Sequence, residues 1–321
     1  MNDARVHDPS VDLHVIFGTG PVGCWTARSL VAEGRRVRAV NRSGHRPSLL
    51  PDEVELRAAD VSDPARARAA ANGATTVVQA LNPAYDRWHE LFPALQAAAL
   101  GAAEASGARY VSIDNLYMLD ASTPITEASA VAPTSKKGAL RQRMAEEVLA
   151  AHARGAVRAT VLRSADYYGP GVTGSAWGER VFAPLVAGKA AQVTGRLDVA
   201  HSVAYIEDVG RAAALLATRD EALGQVWITP HAPAATAREM VAMAAAAAGV
   251  APKASGMGRT MMRLGGLFIP VARATVEMMD QFVEPFVVDA HAFERTFGRS
   301  ATPLREGLAR TVAWYRTRDV R

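Results

Sequence analysis

Val15 to Gly23 reads VIFGTGPVG, a short apolar run that passes straight into glycine-x-glycine-x-x-glycine at Gly18, Gly20 and Gly23. The run reads as a buried strand. Helix signals follow from Val22 to Glu33, and a second apolar strand from Val37 to Val40. At the first position glycine permits a tight turn off the strand, and at the second it lets a phosphate approach the backbone. At the third it lets the helix pack against the sheet. The amides at the helix start, around Pro21 and Val22, then face an anion. It is the strand–turn–helix–strand setting, more than the glycines alone, that reads as a pyrophosphate site for a dinucleotide.

The tip of the second strand bears on which dinucleotide. A site for NAD takes an acidic residue about 20 positions on, which accepts hydrogen bonds from the ribose hydroxyls. Here the strand ends at Asn41 and continues through Arg42, Ser43 and, further on, Arg46, with no carboxylate. A guanidinium fork suits a phosphate. NADPH is therefore expected over NADH, with Asn41, Arg42 and Ser43 around the ribose phosphate. Asp60 and Val61, after the third strand (Val54 to Ala58), fall where such folds place the adenine. Asp63 before Pro64 reads equally as a helix cap. The fourth strand, Thr76 to Ala80, runs into ALNPAYDRW. Ala80 and Asn82 are expected near the cofactor, and Tyr85 and Trp88 within reach of cofactor or substrate.

Strand and helix signals go on alternating. Strands are expected at Tyr110 to Ile113 and Thr160 to Leu162, and helices at Pro64 to Ala71, Trp88 to Ser106 and Gly138 to Ala153. This rhythm predicts an α/β fold with a doubly wound parallel sheet. After Arg163 it changes. The expected organisation is a dinucleotide-binding domain over 11–165 with a return segment at 203–225. A smaller, mostly helical substrate lobe takes 166–202 and 226–321, including helices at Thr236 to Gly249 and Thr260 to Ile269. Ligands of such sheets bind at the carboxyl ends of the strands.

The chain has 321 residues, 49% of them hydrophobic, and a net charge of +4 that is scattered rather than grouped. No basic run points to nucleic acid. Cys24 is the single cysteine, which excludes an intrachain disulfide framework and fits a reducing compartment. It sits at a helix start but reads first as a packing residue. The first ten residues, MNDARVHDPS, are polar and resemble no secretory signal, and Leu264 to Val271 is too short to span a bilayer. The expectation is a cytoplasmic monomer or homodimer with a small-molecule substrate and no nucleic-acid or membrane partner. The eight histidines show no metal-binding spacing.

GTGPVG, AADVSD, LRSADYYGPG, YIEDVGRA and TPLREGLARTVAWYR together resemble the extended short-chain dehydrogenase/reductases, the NAD-dependent epimerase/dehydratase group, over nearly the whole chain. The G-x-G-x-x-G spacing is similar to that of atypical members. The resemblance implies hydride transfer assisted by Tyr-x-x-x-Lys on a helix and by a Ser or Thr at the preceding strand end. Here Lys137-Gly138 stands where Tyr-Gly is implied, and Arg141 where Lys is. Tyr117 matches the family's tyrosine after the serine. That puts Ile113 at the hydroxyl position, beside Ser112 and before Asp114 and Asn115. Tyr167 is implied near the nicotinamide.

Three readings follow. The first is an NADPH-dependent ketoreductase acting on a small aromatic or polycyclic substrate by a tyrosine-independent route. Lys137 and Arg141, at i, i+4 spacing, share a helix face. The lysine would serve the carbonyl oxygen with Ser112 or Asp114 orienting it, or the substrate's own internal hydrogen bond would do so. Met261, Met262 and Phe268 would line an adaptable pocket, or be plain core. The second reading is a non-catalytic NADP-binding redox sensor. The third is a nucleotide-sugar epimerase or dehydratase, which ordinarily needs the intact tyrosine.

Overall fold

In the computed structural model, residues 12–120 and 124–318 are described, and the polar start of the chain lies outside them. Six strands alternate with helices: β1 (Leu13–Phe17), α1 (Pro21–Ala32), β2 (Arg36–Asn41), β3 (Glu55–Ala58), α2 (Pro64–Ala70), β4 (Ala74–Gln79), α3 (Trp88–Ser106), β5 (Arg109–Asn115), α4 (Lys136–Ala153) and β6 (Arg158–Ser164). The strand Val226–Ile228 completes a seven-stranded sheet in which every pairing is parallel. Its order is Val226–Ile228, β6, β5, β4, β1, β2, β3. The chain order reverses between β1 and β4, and this opens a crevice beyond their carboxyl ends.

The strands are near-continuously apolar because both faces are covered. On one face β1, β4 and β5 pack against the alanines of α2 and α3 and against Val148 of α4. On the other, α1 meets α6 (Ile206–Thr218) through Leu30 and Ala212 to Ala217. The return segment appears as Val203–Tyr205, paired in parallel with Asp166–Tyr168 and running into α6. Beyond it, α5 (Glu179–Val186), α7 (Ala237–Ala248) and the closing helix Leu304–Arg318 share a separate core around Phe182, Met240 and Tyr315. The Tyr315 hydroxyl donates to the Val172 carbonyl at 2.7 Å, which ties that core to the end of the sheet.

One helix departs from expectation. Thr260 to Ile269 is not a single helix. α8 runs Arg259–Gly265, the chain turns through Gly266 to Ile269, and α9 (Pro270–Thr275) follows. The Gly265-Gly266 pair and Pro270 break the helix. Phe268 is 86% exposed and Met261 57%, so neither belongs to a pocket; Met262 alone of the three turns inward.

Candidate active site at the carboxyl edge of the sheet

Gly18 holds a positive φ of +106°, and a Cβ there would lie 2.7 Å from the Ala80 carbonyl oxygen. A Cβ on Gly23 would lie 2.0 Å from the carbonyl oxygen of Gly18. These two glycines are therefore demanded by packing. Gly20 differs: its φ is −70°, and a Cβ there would meet nothing within 4 Å. It caps α1, with Pro21 as the first helical residue, and its carbonyl accepts from Cys24. The free amides of the first turn thus open on space beside a side-chain-free backbone, and this cradle fits a pyrophosphate. Cys24 is buried behind it with its thiol on the Thr19 carbonyl, and burial pushes that thiol up to about 11, so it packs rather than reacts.

At the tip of β2, Asn41 donates to the Thr19 hydroxyl and the His45 carbonyl and accepts from the Gly44 amide. Asn41 thereby shapes the turn. Arg42 and Ser43 are exposed on that turn. Arg46 is committed elsewhere, donating to the Pro51 and Val54 carbonyls. Asp60 accepts from the amide and hydroxyl of Ser62, which holds its carboxyl below the usual range, with Arg42 nearby. Val61 is buried in the core beneath. Asp63 caps α2 by accepting from the Ala65 and Arg66 amides.

From Gly20, Pro21 and Val22 a cavity of about 590 Å³ extends across the ends of β4, β5 and β6. Ala80 and Asn82 line it, as do Ile113, Asp114, Asn115, Arg141 and Tyr167. Seven aromatic rings, from Tyr85, Trp88, Phe92, Tyr117, Tyr167, Phe282 and Phe286, stand in its wall. Ser112 is not in the lining. It is buried one residue back along β5, on the sheet face of Tyr110.

Lys137 and Arg141 share a face of α4 but part company in their contacts. Arg141 lies in the cavity wall. Its Nε donates to Asp114 Oδ1 at 2.6 Å and its Nη2 to the Ile113 carbonyl at 2.8 Å, and the guanidinium sits 4.4 Å from the Phe92 ring centre. Arg163 approaches Asp114 Oδ2 at 3.5 Å, and the Asn115 amide also donates to this carboxylate. The result is a buried carboxylate between two cations. Lys137 is buried outside the cavity lining. Its ammonium donates to Glu277 Oε1 at 2.5 Å and to the Ala274 carbonyl, and lies over the Tyr85 ring at 4.6 Å. Its nearest charge is thus a carboxylate rather than Arg141. Glu277 also accepts the Lys136 amide, so one carboxylate caps α4 and binds its first lysine pair together.

A second ionisable pair stands at the cavity, with Asp166 in its lining and His201 outside it. His201 Nε2 lies 2.9 Å from Asp166 Oδ2, and His201 Nδ1 lies 3.1 Å from the Gln281 carbonyl oxygen. The ring is stacked between Phe282 and Phe286 at 5.5 and 5.1 Å. A carbonyl only accepts, so Nδ1 carries a proton. Nε2 then faces the Asp166 carboxylate. Gln281 Nε2 donates to the same Oδ2, and Asp166 is part of the cavity lining. The tyrosines here are held protonated. Burial pushes Tyr167 up to about 12 and raises Tyr85 and Tyr117 further, so their hydroxyls serve as donors. Among the described residues no cluster of three or more His, Cys, Asp or Glu is placed to hold a metal.

Residues 15–228 match the family described as the NAD dependent epimerase/dehydratase family. The chain belongs to that family. Solved structures of this family's kind superpose over nearly the whole chain. The UDP-glucose 4-epimerase of Thermotoga maritima with UDP-glucose is 17% identical, covers 95% of this chain and 99% of its own, and has a TM-score of 0.76. MoeE5 in complex with UDP-glucose and NAD is 23% identical, with 97% and 100% covered and a TM-score of 0.74. An epimerase from Methanothermobacter thermautotrophicus is 16% identical, with 97% and 94% covered and a TM-score of 0.78. At these identities the likeness is one of fold. No curated protein matches the chain. The family is named for its dependence on NAD, and MoeE5 holds that dinucleotide.

Sequence reading missed Asp166, Glu277, Gln281, Phe282 and Phe286 as wall or anchor residues. For the last four no signal exists in the sequence, since each reaches the site across 80 to 140 residues of chain. Asp166 did carry one: a carboxylate just past a strand end, beside Tyr167.

Proposed function

We propose that this chain is an NADPH-dependent reductase that transfers hydride to a carbonyl of a small aromatic or polycyclic substrate. The observation that carries this reading is the continuity of the phosphate cradle at Gly20 with a cavity walled by seven aromatic rings. A flat apolar substrate stacks on such rings at offset or edge geometry. The bound dinucleotide supplies the hydride. Gly20, Pro21 and Val22 would hold its pyrophosphate, and Arg42 with Ser43 would favour the ribose phosphate. Arg141 fixes Asp114 and backs the Phe92 wall, while Lys137 ties α4 to Glu277. The carbonyl oxygen takes its proton from Asp166, the member of the pair that lines the cavity, and His201 returns one to that carboxylate; no Tyr-x-x-x-Lys is involved.

The test is NADPH oxidation over a panel of aromatic ketones and quinones. A positioned proton donor is worth ~100- to 10,000-fold. Asp166→Asn should lower kcat by such a factor with NADPH affinity kept, and Lys137→Met should cost only a few-fold. The reverse pattern puts the proton on Lys137, at the position of the family tyrosine. Tight NADPH binding with no oxidation of any substrate replaces the enzyme by a redox sensor.

A nucleotide-sugar substrate is favoured by one feature. Arg180 of α5 lines the same cavity, and its fork suits a diphosphate. Epimerisation of UDP-glucose by the chain would make this the correct reading.

A further inference from the structure

Seven large hydrophobic side chains are exposed among the described residues, and six of them stand within eleven positions: Met261, Leu264, Leu267, Phe268, Ile269 and Val271. Phe268 at 86% and Leu267 at 72% crown the turn between α8 and α9, so the patch projects instead of forming a groove. It is not a loose end. Met262, Ala272, Met279 and Phe282 form a small core directly beneath. Scattered exposed hydrophobics need no explanation, but six gathered on one tip do.

The charges around the tip have one sign. From Lys253 to Val276 the chain carries Lys253, Arg259, Arg263 and Arg273 and no carboxylate. Arg259 pairs with Asp280, while Arg263 and Arg273 are exposed and make no ion pair among the described residues. The nearest acid, Glu277, is bound to Lys137.

We propose that the α8–α9 tip docks on an anionic lipid surface. The apolar crown enters the interfacial layer, and Arg263 and Arg273 meet the headgroup phosphates. An amphipathic element with cations on its flanks and aliphatic or aromatic residues at its centre has this partition. A second copy of the chain fits less well, since a two-fold contact at the tip would bring the same cations against one another. A projecting tip also offers little of the roughly 800 Å² per partner that a stable dimer buries. Val271 and Thr275 of α9 reach the cavity lining, so the docked tip would set the cavity mouth at the lipid surface. An apolar substrate dissolved in the membrane could then enter without crossing water. This inference stands apart from the reductase reading, because it concerns only where the chain sits.

The test is co-sedimentation of the full chain with vesicles of phosphatidylglycerol and phosphatidylcholine, and of phosphatidylcholine alone, at several salt concentrations. The expected result is binding to the anionic vesicles that weakens as salt rises. Phe268→Glu should reduce the partition by about tenfold or more, since the lost burial of one aromatic side chain amounts to that. Arg263→Glu with Arg273→Glu should reduce it by at least ~25-fold, at about fivefold per arginine. Both variants should keep the wild-type melting temperature and NADPH affinity, because the replaced side chains touch neither core nor cradle. Wild type that stays in the supernatant with anionic vesicles overturns the proposal. A wild-type dimer in sedimentation equilibrium that Phe268→Glu dissolves overturns it as well, and assigns the tip to self-association.

Discussion

Two glycines of one motif should fail in opposite ways. A Cβ on Gly20 meets no atom within 4 Å, and its φ of −70° suits any residue. Gly20→Val should therefore fold, with a stability change within about 0.5 kcal/mol. The branched side chain would fill the space where the pyrophosphate approaches, and the first-turn amides would lose it. Hydrogen bonds to a charged group contribute ~1.5–3 kcal/mol each. The loss of two weakens NADPH by roughly 10²- to 10⁴-fold on the scale of ~1.4 kcal/mol per decade. Gly23→Ala puts its methyl 2.0 Å from the Gly18 carbonyl oxygen, so the turn itself must move. Overpacking of this kind costs ~1–3 kcal/mol. A fluorescence titration with NADPH beside a thermal melt separates the two. Gly20→Val that binds like wild type, or Gly23→Ala that melts like wild type, refutes the assignment of cradle and packing roles.

Arg42→Ala should weaken NADPH by about 10- to 100-fold, the worth of one charge-assisted contact to the 2′-phosphate, and leave NADH unchanged; equal affinities of the wild type for the two cofactors would contradict this. Asp114→Ala leaves the guanidiniums of Arg141 and Arg163 buried without their carboxylate, and should lower stability by ~3–5 kcal/mol in a denaturant melt. An unchanged midpoint would mean that the triad contributes nothing to the fold.

The alternation of apolar strands with helices was legible because period and punctuation are local properties. β1 through β6 and α1 through α4 fall within a few residues of where the sequence puts them. Asp63 caps its helix as short-range chemistry dictates. The α8–α9 break was legible in principle from Gly265, Gly266 and Pro270, but the apolar run of Leu264 to Val271 outweighed those punctuators. Lys137 and Arg141 show the limit. Their spacing places both on one face of α4, yet what each does depends on a partner contributed from elsewhere. For Arg141 that partner is Asp114, 27 positions away; for Lys137 it is Glu277, 140 positions away. No periodicity encodes the second meeting, since it depends on how the last third of the chain folds back.

That fold-back separates two kinds of inheritance. The glycine cradle and the first cavity walls lie inside residues 15–228, the span the family holds in common. Val271, Thr275, Gln281, Phe282 and Phe286 close the same cavity from outside that span. The cradle and the last part of the cavity wall are thus written in separate stretches of the chain. An exchange of the 253–290 segment between relatives would retune what enters the chamber while the redox half stays as it is. Conversely, kinship established over the first two thirds leaves one wall of the chamber unaccounted for, because Phe282 and Phe286 are written afterwards.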